Sequence, residues 1–242
     1  MHAFRKPRFL WVYPLAVLLV TTAHATERSL RVGILLALLG ETLRCWANGY
    51  VGHVKVNWTQ TWRHDPPIGR LITAGPYAYV RHPLYLGTFL IGLGFCMTAQ
   101  RLSVALGALA FFLIVYPRKA QAEEAILLHE RGAAYQDYQR AVPRWLPAVR
   151  RYPDRQGQWS WRGIRASREL KTLAWVVVGL LAIYFREAYW QERALFTSKT
   201  WLKHTLLLVV CALLIVTDGI VELIRRASPP RSEGALIDRQ NT

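Results

Sequence analysis

Apolar residues fall into six long runs, with polar and mostly basic residues between them. The runs are Phe9 to about Ala25, about Leu30 to Tyr50, Leu84–Ala99, Leu102–Tyr116, about Leu170–Phe185 and Trp201–Ile224. Most are near the length that a helix needs to cross a hydrocarbon core of about 30 Å. In lipid every backbone amide must be satisfied within its own segment, so the pattern predicts helices rather than open sheet. Leu84–Ala99 and Leu102–Tyr116 are joined by a short polar turn at Gln100-Arg101, which predicts a helical hairpin. Gly87, Gly92, Gly94 and Gly107 are expected to let its two helices approach closely. The intervening residues 51–83 read as a polar loop, and 117–171 as an amphipathic helix, a second short helix and a basic linker. The fold class expected is therefore all-α: a polytopic transmembrane helical bundle of five or six spans with short cytoplasmic helices.

The count depends on the first run. A basic start (Arg5, Lys6, Arg8), a short apolar stretch and Ala23-His24-Ala25 together match a cleavable signal peptide. Pro14, Trp11 and Tyr13 match an anchored helix instead, and no exported soluble domain follows. The organisation expected is an N-terminal transmembrane helix or signal peptide over 1–29, a core over 30–150, a basic linker over 151–170, a C-terminal transmembrane hairpin over 171–226 and a polar, disordered tail over 227–242.

Composition sharpens this picture. The chain has 242 residues, is 52% hydrophobic and yet carries a formal net charge of +16, a combination that suits spans joined by basic loops. Its 10 Trp and 11 Tyr suit the water–lipid boundary. Because the basic residues flank apolar runs, their surplus reads as membrane orientation, and no nucleic-acid partner is expected. With six spans, the N-terminus, the 51–83 loop, the 117–171 segment and the tail after Arg225-Arg226 share one side, although 186–203 carries four basic residues on the other. That basic side is expected to be the cytoplasm of a bacterial inner-membrane protein, and loss of the first span leaves the same loops inside. Cys45, Cys96 and Cys211 have no CxxC pairing and read as reduced, packed thiols.

Two stretches carry candidate chemistry. The first runs Gly75-Pro76-Tyr77-Ala78-Tyr79-Val80-Arg81-His82-Pro83-Leu84-Tyr85-Leu86-Gly87. Gly-Pro predicts a turn, and Pro83 sits where a helix can start without needing its missing N–H. Arg81 and His82 then lie just before a membrane helix, whose N-terminal amides and dipole suit a carboxylate. An interfacial anchor would use the same residue types. The second stretch begins with Glu123-Glu124 and continues through Tyr135, Tyr138, Val142-Pro143-Arg144 and Leu146-Pro147. Adjacent carboxylates near a membrane repel, unless one meets a cation such as an ammonium or sulfonium and the other an arginine. A solvated helix face beside Arg118 and Lys119 explains the pair equally simply. Upstream, Glu41 and Arg44 are three apart on one helical face, either as a local ion pair or as the lining of a cavity.

Taken together, "GPYAYVRHPLYLG" and "EEAILLHERGAAYQDYQRAVPRWLP", separated by a helical hairpin, resemble the isoprenylcysteine carboxyl methyltransferase family and its phospholipid methyltransferase relatives. "LRCWANGYV" is similar to the family's bacterial members, and the resemblance covers about residues 30–150. It implies a cytoplasm-facing pocket for S-adenosyl-L-methionine and a lipophilic carboxylate or amine acceptor entering from the bilayer. By this resemblance Tyr79, Arg81, His82, Tyr85 and Gly87 line the cofactor site, Glu123 or Glu124 holds the cofactor's amino-acid end, and Tyr135, Tyr138 and Arg144 close the pocket. Arg81, His82, Glu124 and Arg144 are the candidate catalytic residues. Two departures bear on the acceptor: a Trp-rich insert from Trp58 to Pro67, and the C-terminal hairpin after Leu170, which lies outside the matched part.

Other readings stay open. A membrane sterol-reductase-like enzyme using NADPH has a similar topology, though Glu123-Glu124 suits a sulfonium better than a dinucleotide phosphate. A lipid-binding scaffold with basic loops is the non-enzymatic alternative. His53, His64, Asp65 and His82 have no ligand spacing, so no metal is expected.

Overall fold

In the computed structural model, residues 22–51, 71–167, 169–192 and 201–227 are described. The Ala23-His24-Ala25 site therefore lies within the described residues, while most of the first apolar run, up to residue 21, lies outside them. So do His53, His64 and Asp65, the Trp58–Pro67 insert and the tail from Ser228. Among the described residues there are seven α-helices and no strand: α1 (Glu27–Val51), α2 (Pro83–Ala99), α3 (Leu102–Arg131), α4 (Ala133–Ala141), α5 (Trp161–Ser167), α6 (Glu169–Glu192) and α7 (Trp201–Ala227).

α3 and α6 are long and apolar enough to cross a membrane, and α2 is an apolar helix of 17 residues. Along α3, Leu102, Leu106, Leu109, Phe111, Leu113 and Ile114 are all exposed. In water that surface would be a severe penalty, whereas in hydrocarbon it costs nothing.

The tightest helix pair is not the one expected. The α2 glycines pack against α1 rather than α3. Small residues run down both helices in antiparallel register, Gly33 opposite Gly94 and Gly40 opposite Gly87, with Ser29 Oγ reaching Thr98 O at 3.4 Å. A Cβ on Gly40 would lie 2.5 Å from the Gly87 carbonyl oxygen, so only glycine permits this approach. Gly92 and Gly107 have nothing within 4 Å of an added Cβ. α2 and α3 are joined as expected at Gln100-Arg101, with Gln100 in the left-handed region at φ 51°. α6 packs with both α1 and α2: Val176 and Leu180 lie with Ala37, Ile34, Ile91 and Phe95, and Ile183 with Ala23, Ala25 and Ala99. α7 falls in a second compact unit.

The apolar run of α3 does not end its helix at Tyr116. The helix continues through Pro117 to Arg131 without a break into a separate amphipathic helix. Proline removes one backbone donor and crowds the preceding turn, but both sides of Pro117 are pinned. Tyr116 and Phe112 pack together below it, and Glu124 is fixed by several cations above it. Pro117–Arg131 thus forms a charged extension beyond the apolar part.

Candidate active site

The Gly75–Gly87 motif is built as a clasped turn. A single 3₁₀ turn spans Gly75–Ala78, and Gly75 has φ +63° with the Tyr50 ring where a Cβ would stand. Residues 73–81 are then bound along their length by the segment 143–156. Thr73 and Ala74 donate their amides to Gln156 O at 2.9 and 3.1 Å, and Arg81 N donates to Pro143 O at 2.9 Å. In return Ala148 N donates to Tyr79 O at 2.8 Å and Tyr152 N to Ala78 O at 2.9 Å. Thr73 Oγ1 adds a bond to Asp154 O at 2.6 Å. Pro83 starts α2 and His82 is its N-cap residue. The backbone thus delivers Arg81 and His82 to one fixed point, over the charged extension of α3.

Glu124 is that point. Four residues from three segments converge on its carboxylate, which is 4% exposed. Oε1 is 3.0 Å from Arg81 Nη1 and 2.9 Å from His82 Nε2, and it accepts from Arg144 Nε at 3.0 Å. Oε2 accepts from Arg144 Nη2 at 2.5 Å and, more loosely, from Gln139 Nε2 at 3.4 Å. Burial alone would raise its pKa. The hydrogen bonds from His82 and Arg144 and the charge of Arg81 win, holding it at about 2. Because Glu124 is ionised it can only accept, so His82 Nε2 carries the proton in their bond.

Glu123, its neighbour in the chain, has other surroundings. It is partly exposed, accepts a hydrogen bond from Tyr85 OH, and lies 3.8 Å from His82 Nδ1. Burial raises its pKa, working against the Tyr85 hydrogen bond and the nearby His82 and Lys119. No described arginine pairs with it, so one acceptor-rich group is left at the edge of the cluster. Arg81 contributes the complementary feature: its Nε is buried with no hydrogen-bond acceptor among the described residues.

An aromatic wall adjoins this cluster. The His82 and Tyr85 rings stack in parallel, 5.3 Å apart and 7° from coplanar. Trp145 lies 5.8 Å from His82, 6.5 Å from Tyr85 and 5.9 Å from Phe112. Tyr85 meets Tyr116 edge-on at 5.0 Å, and Lys119 Nζ sits 5.1 Å above the Tyr85 ring. Such faces attract cations and accept flat heterocycles.

The remaining expected residues take supporting places. Tyr135 and Tyr138 are buried with Val142, next to Leu71, Leu127 and Tyr152. Tyr138 OH donates to Tyr77 O at 2.7 Å, tying α4 to the turn. The Tyr135 pKa is raised to about 12 by burial and the Glu124 charge, with Arg81 working against them. Tyr79 anchors the clasp through its carbonyl, and Gly87 lies in the α1–α2 contact, where a Cβ would meet Arg44 Cγ at 2.5 Å. Trp145 and Gln139 were not singled out from the sequence. The only available signal was Trp145 directly following Arg144, and a lone tryptophan in a basic linker passes as an interfacial ring.

Glu41 and Arg44 belong to a second buried cluster. Arg44 Nη1 donates to Thr88 Oγ1 at 2.5 Å and to Leu84 O at 3.4 Å; its Nη2 lies 2.5 Å from Glu169 Oε1 and its Nε 3.8 Å from Glu41 Oε2. Glu169, the first residue of α6, was not anticipated. Burial and then the Glu123 charge push the Tyr77 pKa up, Arg44 works against them, and Glu169 adds to the rise.

Residues 33–129 match the family model of the isoprenylcysteine carboxyl methyltransferase (ICMT) family, so the resemblance drawn from the two motifs is shown over that stretch. The chain is 32% identical over 121 residues to a protein-S-isoprenylcysteine O-methyltransferase of Rattus norvegicus, covering 49% of this chain and 41% of that protein. It is 45% identical over 85 residues to methanethiol S-methyltransferase 2 of Bradyrhizobium diazoefficiens, covering 33% of this chain and 31% of that protein. It is also 33% identical over 122 residues to the nickel-cobalt-cadmium resistance protein NccN of Alcaligenes xylosoxydans xylosoxydans, covering 50% of each. The chain thus spans between about a third and a half of the length of these relatives. No solved structure matches it.

Proposed function

Starting from the family match over residues 33–129, we propose that the protein is an integral-membrane methyltransferase that uses S-adenosyl-L-methionine and a lipophilic carboxylate or amine acceptor. It crosses the bacterial inner membrane five or six times, with the Glu124 cluster on the cytoplasmic side. The observation that carries this reading is the division of labour between the two adjacent glutamates. Glu124 is consumed by Arg81, His82 and Arg144, while Glu123 is left open beside an aromatic wall.

The cofactor's chemical groups fit the residues present. Glu123 is the free carboxylate for an ammonium, and the unpaired Arg81 Nε is a buried donor for a carboxylate. The faces of His82, Tyr85 and Trp145 suit the sulfonium and the adenine. When bound, the cofactor supplies an electrophilic methyl group on a positively charged sulfur. The work left to the protein is positioning and exclusion of water. Glu124 holds Arg81 and Arg144 in fixed orientation, His82 Nε2–H completes its coordination, and the aromatic wall keeps water from the reacting face. A dinucleotide phosphate needs unneutralised cations, and Arg81 and Arg144 are both committed to Glu124, which disfavours the NADPH reading.

Calorimetric titration of detergent-purified protein with S-adenosylmethionine, S-adenosylhomocysteine and NADPH tests this. Binding of both adenosyl ligands, weakened in Glu123→Gln, is expected. Binding of NADPH alone would replace the methyltransferase with a reductase, and binding of none by folded protein would leave a lipid-binding scaffold.

A further inference from the structure

The second cluster is one positive charge short. Glu41 is 2% exposed and Glu169 1%, and among the described residues the guanidinium between them is that of Arg44. Neither oxygen of Glu41 accepts a hydrogen bond from any described residue. The buried Asn48 adds an independent vacancy. Its Nδ2 donates to Arg44 O at 3.0 Å, but its Oδ1 is buried without a donor. Glu41, Arg44 and Asn48 follow at i, i+3 and i+7, so all three share one face of α1. A surplus carboxylate at such depth is costly unless a cation or proton meets it.

The neighbouring surface of α1 has a fitting chemistry. A cleft of about 400 Å³ borders the same part of α1, lined by Thr42, Cys45, Trp46, Tyr50, Trp159 and Trp161, with Ile164 at its side. It is apolar apart from the ring edges and hydroxyls, and it is open to the outside. Trp159 and Trp161 meet edge-on at 4.8 Å. Aromatic faces of this kind attract an organic cation carrying an apolar tail and suit a hydrated metal ion or a carboxylate poorly.

We propose that Glu41, Glu169 and Asn48 form the acceptor's head-group site, and that the acceptor is a lipophilic primary or secondary amine entering as its ammonium. This rests on the methyltransferase reading and selects between the two acceptor classes that it leaves open. The arginine charges of both clusters are already met by carboxylates, Arg81 and Arg144 by Glu124 and Arg44 by Glu169, so a carboxylate acceptor would add a further negative charge beside Glu41. Arg44 of this cluster donates to Leu84 O and Thr88 Oγ1 in the first turns of α2, the helix that His82 caps, so the head-group site adjoins the segment that carries the cofactor site. Glu41 takes the ammonium's surplus proton, which frees the nitrogen lone pair to form the new N–C bond as the methyl–sulfur bond breaks and its electron pair stays on sulfur.

The test uses the full chain in detergent and in nanodiscs. n-Octylamine, n-octanol and n-octanoate are titrated calorimetrically into wild type, Glu41→Gln and Glu169→Gln, each checked for an unaltered elution profile and melting transition. Nanodiscs of phosphatidylethanolamine and of phosphatidylglycerol, compared for competition with octylamine, separate a lipid amine from a free one. Octylamine binding that is at least tenfold weaker in both variants, with octanol and octanoate weak throughout, is the expected result. Octylamine binding indifferent to both substitutions, or absent in wild type, overturns the proposal, and so does tighter binding of octanoate. S-adenosylhomocysteine is titrated separately: if it fails while octylamine still binds through Glu41 and Glu169, the cation site stands and the methyltransferase reading falls.

Discussion

Glu123 and Glu124 are adjacent in the chain, yet Glu124 is bound to two arginines and a histidine while Glu123 is bound by a tyrosine hydroxyl and keeps an open side. The proposed function makes the first a structural keystone and the second a binding group, and substitution tests the separation of the two roles. Glu124→Gln leaves the Arg81 and Arg144 charges buried and uncompensated, a change that costs on the order of 3–5 kcal/mol. A lower melting temperature and loss of S-adenosylhomocysteine binding are expected together. Glu123→Gln is expected to keep the melting temperature within a few degrees and weaken S-adenosylhomocysteine about tenfold. Equal destabilisation by both substitutions would contradict the division.

Acid unfolding follows from the same carboxylate. Glu124 is held at about 2, below its usual 4.5, so the folded state binds its proton less readily than the unfolded chain does. The stabilisation is fully present above about 4.5 and is lost as pH falls from there toward about 2. A shift of this size corresponds to roughly 3 kcal/mol. Melting curves between about pH 7 and 3 are expected to fall for the wild type and to be flatter for Glu124→Gln.

The α1–α2 contact makes a sharp prediction about glycines. Gly40→Ala places a methyl group 2.5 Å from the Gly87 carbonyl, and overpacking of this kind costs about 1–3 kcal/mol. Since α2 begins at His82, weaker S-adenosylhomocysteine binding should accompany the lower melting temperature. Gly92→Ala and Gly107→Ala meet nothing within 4 Å and are expected to be neutral or slightly stabilising.

Trp145 joins the His82–Tyr85 stack to Phe112. Trp145→Ala is expected to weaken S-adenosylhomocysteine by about tenfold, through loss of ring contact worth of the order of 1 kcal/mol or more. Trp145→Phe should recover most of the affinity. An unchanged dissociation constant in the alanine variant would remove Trp145 from the site.

How far the sequence could be read depended on the range of each interaction. Helix positions followed from apolar runs because lipid forces the backbone to bond locally, so α1 and α2 start and end close to the expected residues, while α6 starts as expected and runs past Phe185 to Glu192. The end of the apolar run at Tyr116 reads as a helix boundary, but α3 runs on through Pro117, held by contacts of Phe112 and Glu124 that periodicity does not report. The α2 glycines were legible as a close-approach surface, but not their partner: Gly33 and Gly40 lie some fifty residues away across the loop. Arg81, His82, Glu124 and Arg144 were singled out by motif, and the structure brings these four to one carboxylate. Glu169 had no motif around it, and only the packing of α6 against α1 brings it to Arg44.

The clasp between residues 73–81 and 143–156 has a consequence for biogenesis. The α2–α3 hairpin has what it needs to insert once its own residues have been synthesised, but the turn before it meets its first clasp partner at Pro143 and its last only when Gln156 has left the ribosome. Between those two moments the nascent chain holds a membrane hairpin with Arg81 and Glu124 unassembled. Insertion and acquisition of a ligand site are therefore separate events, and a chain truncated after α3 should still integrate into the membrane while remaining blind to every ligand discussed above.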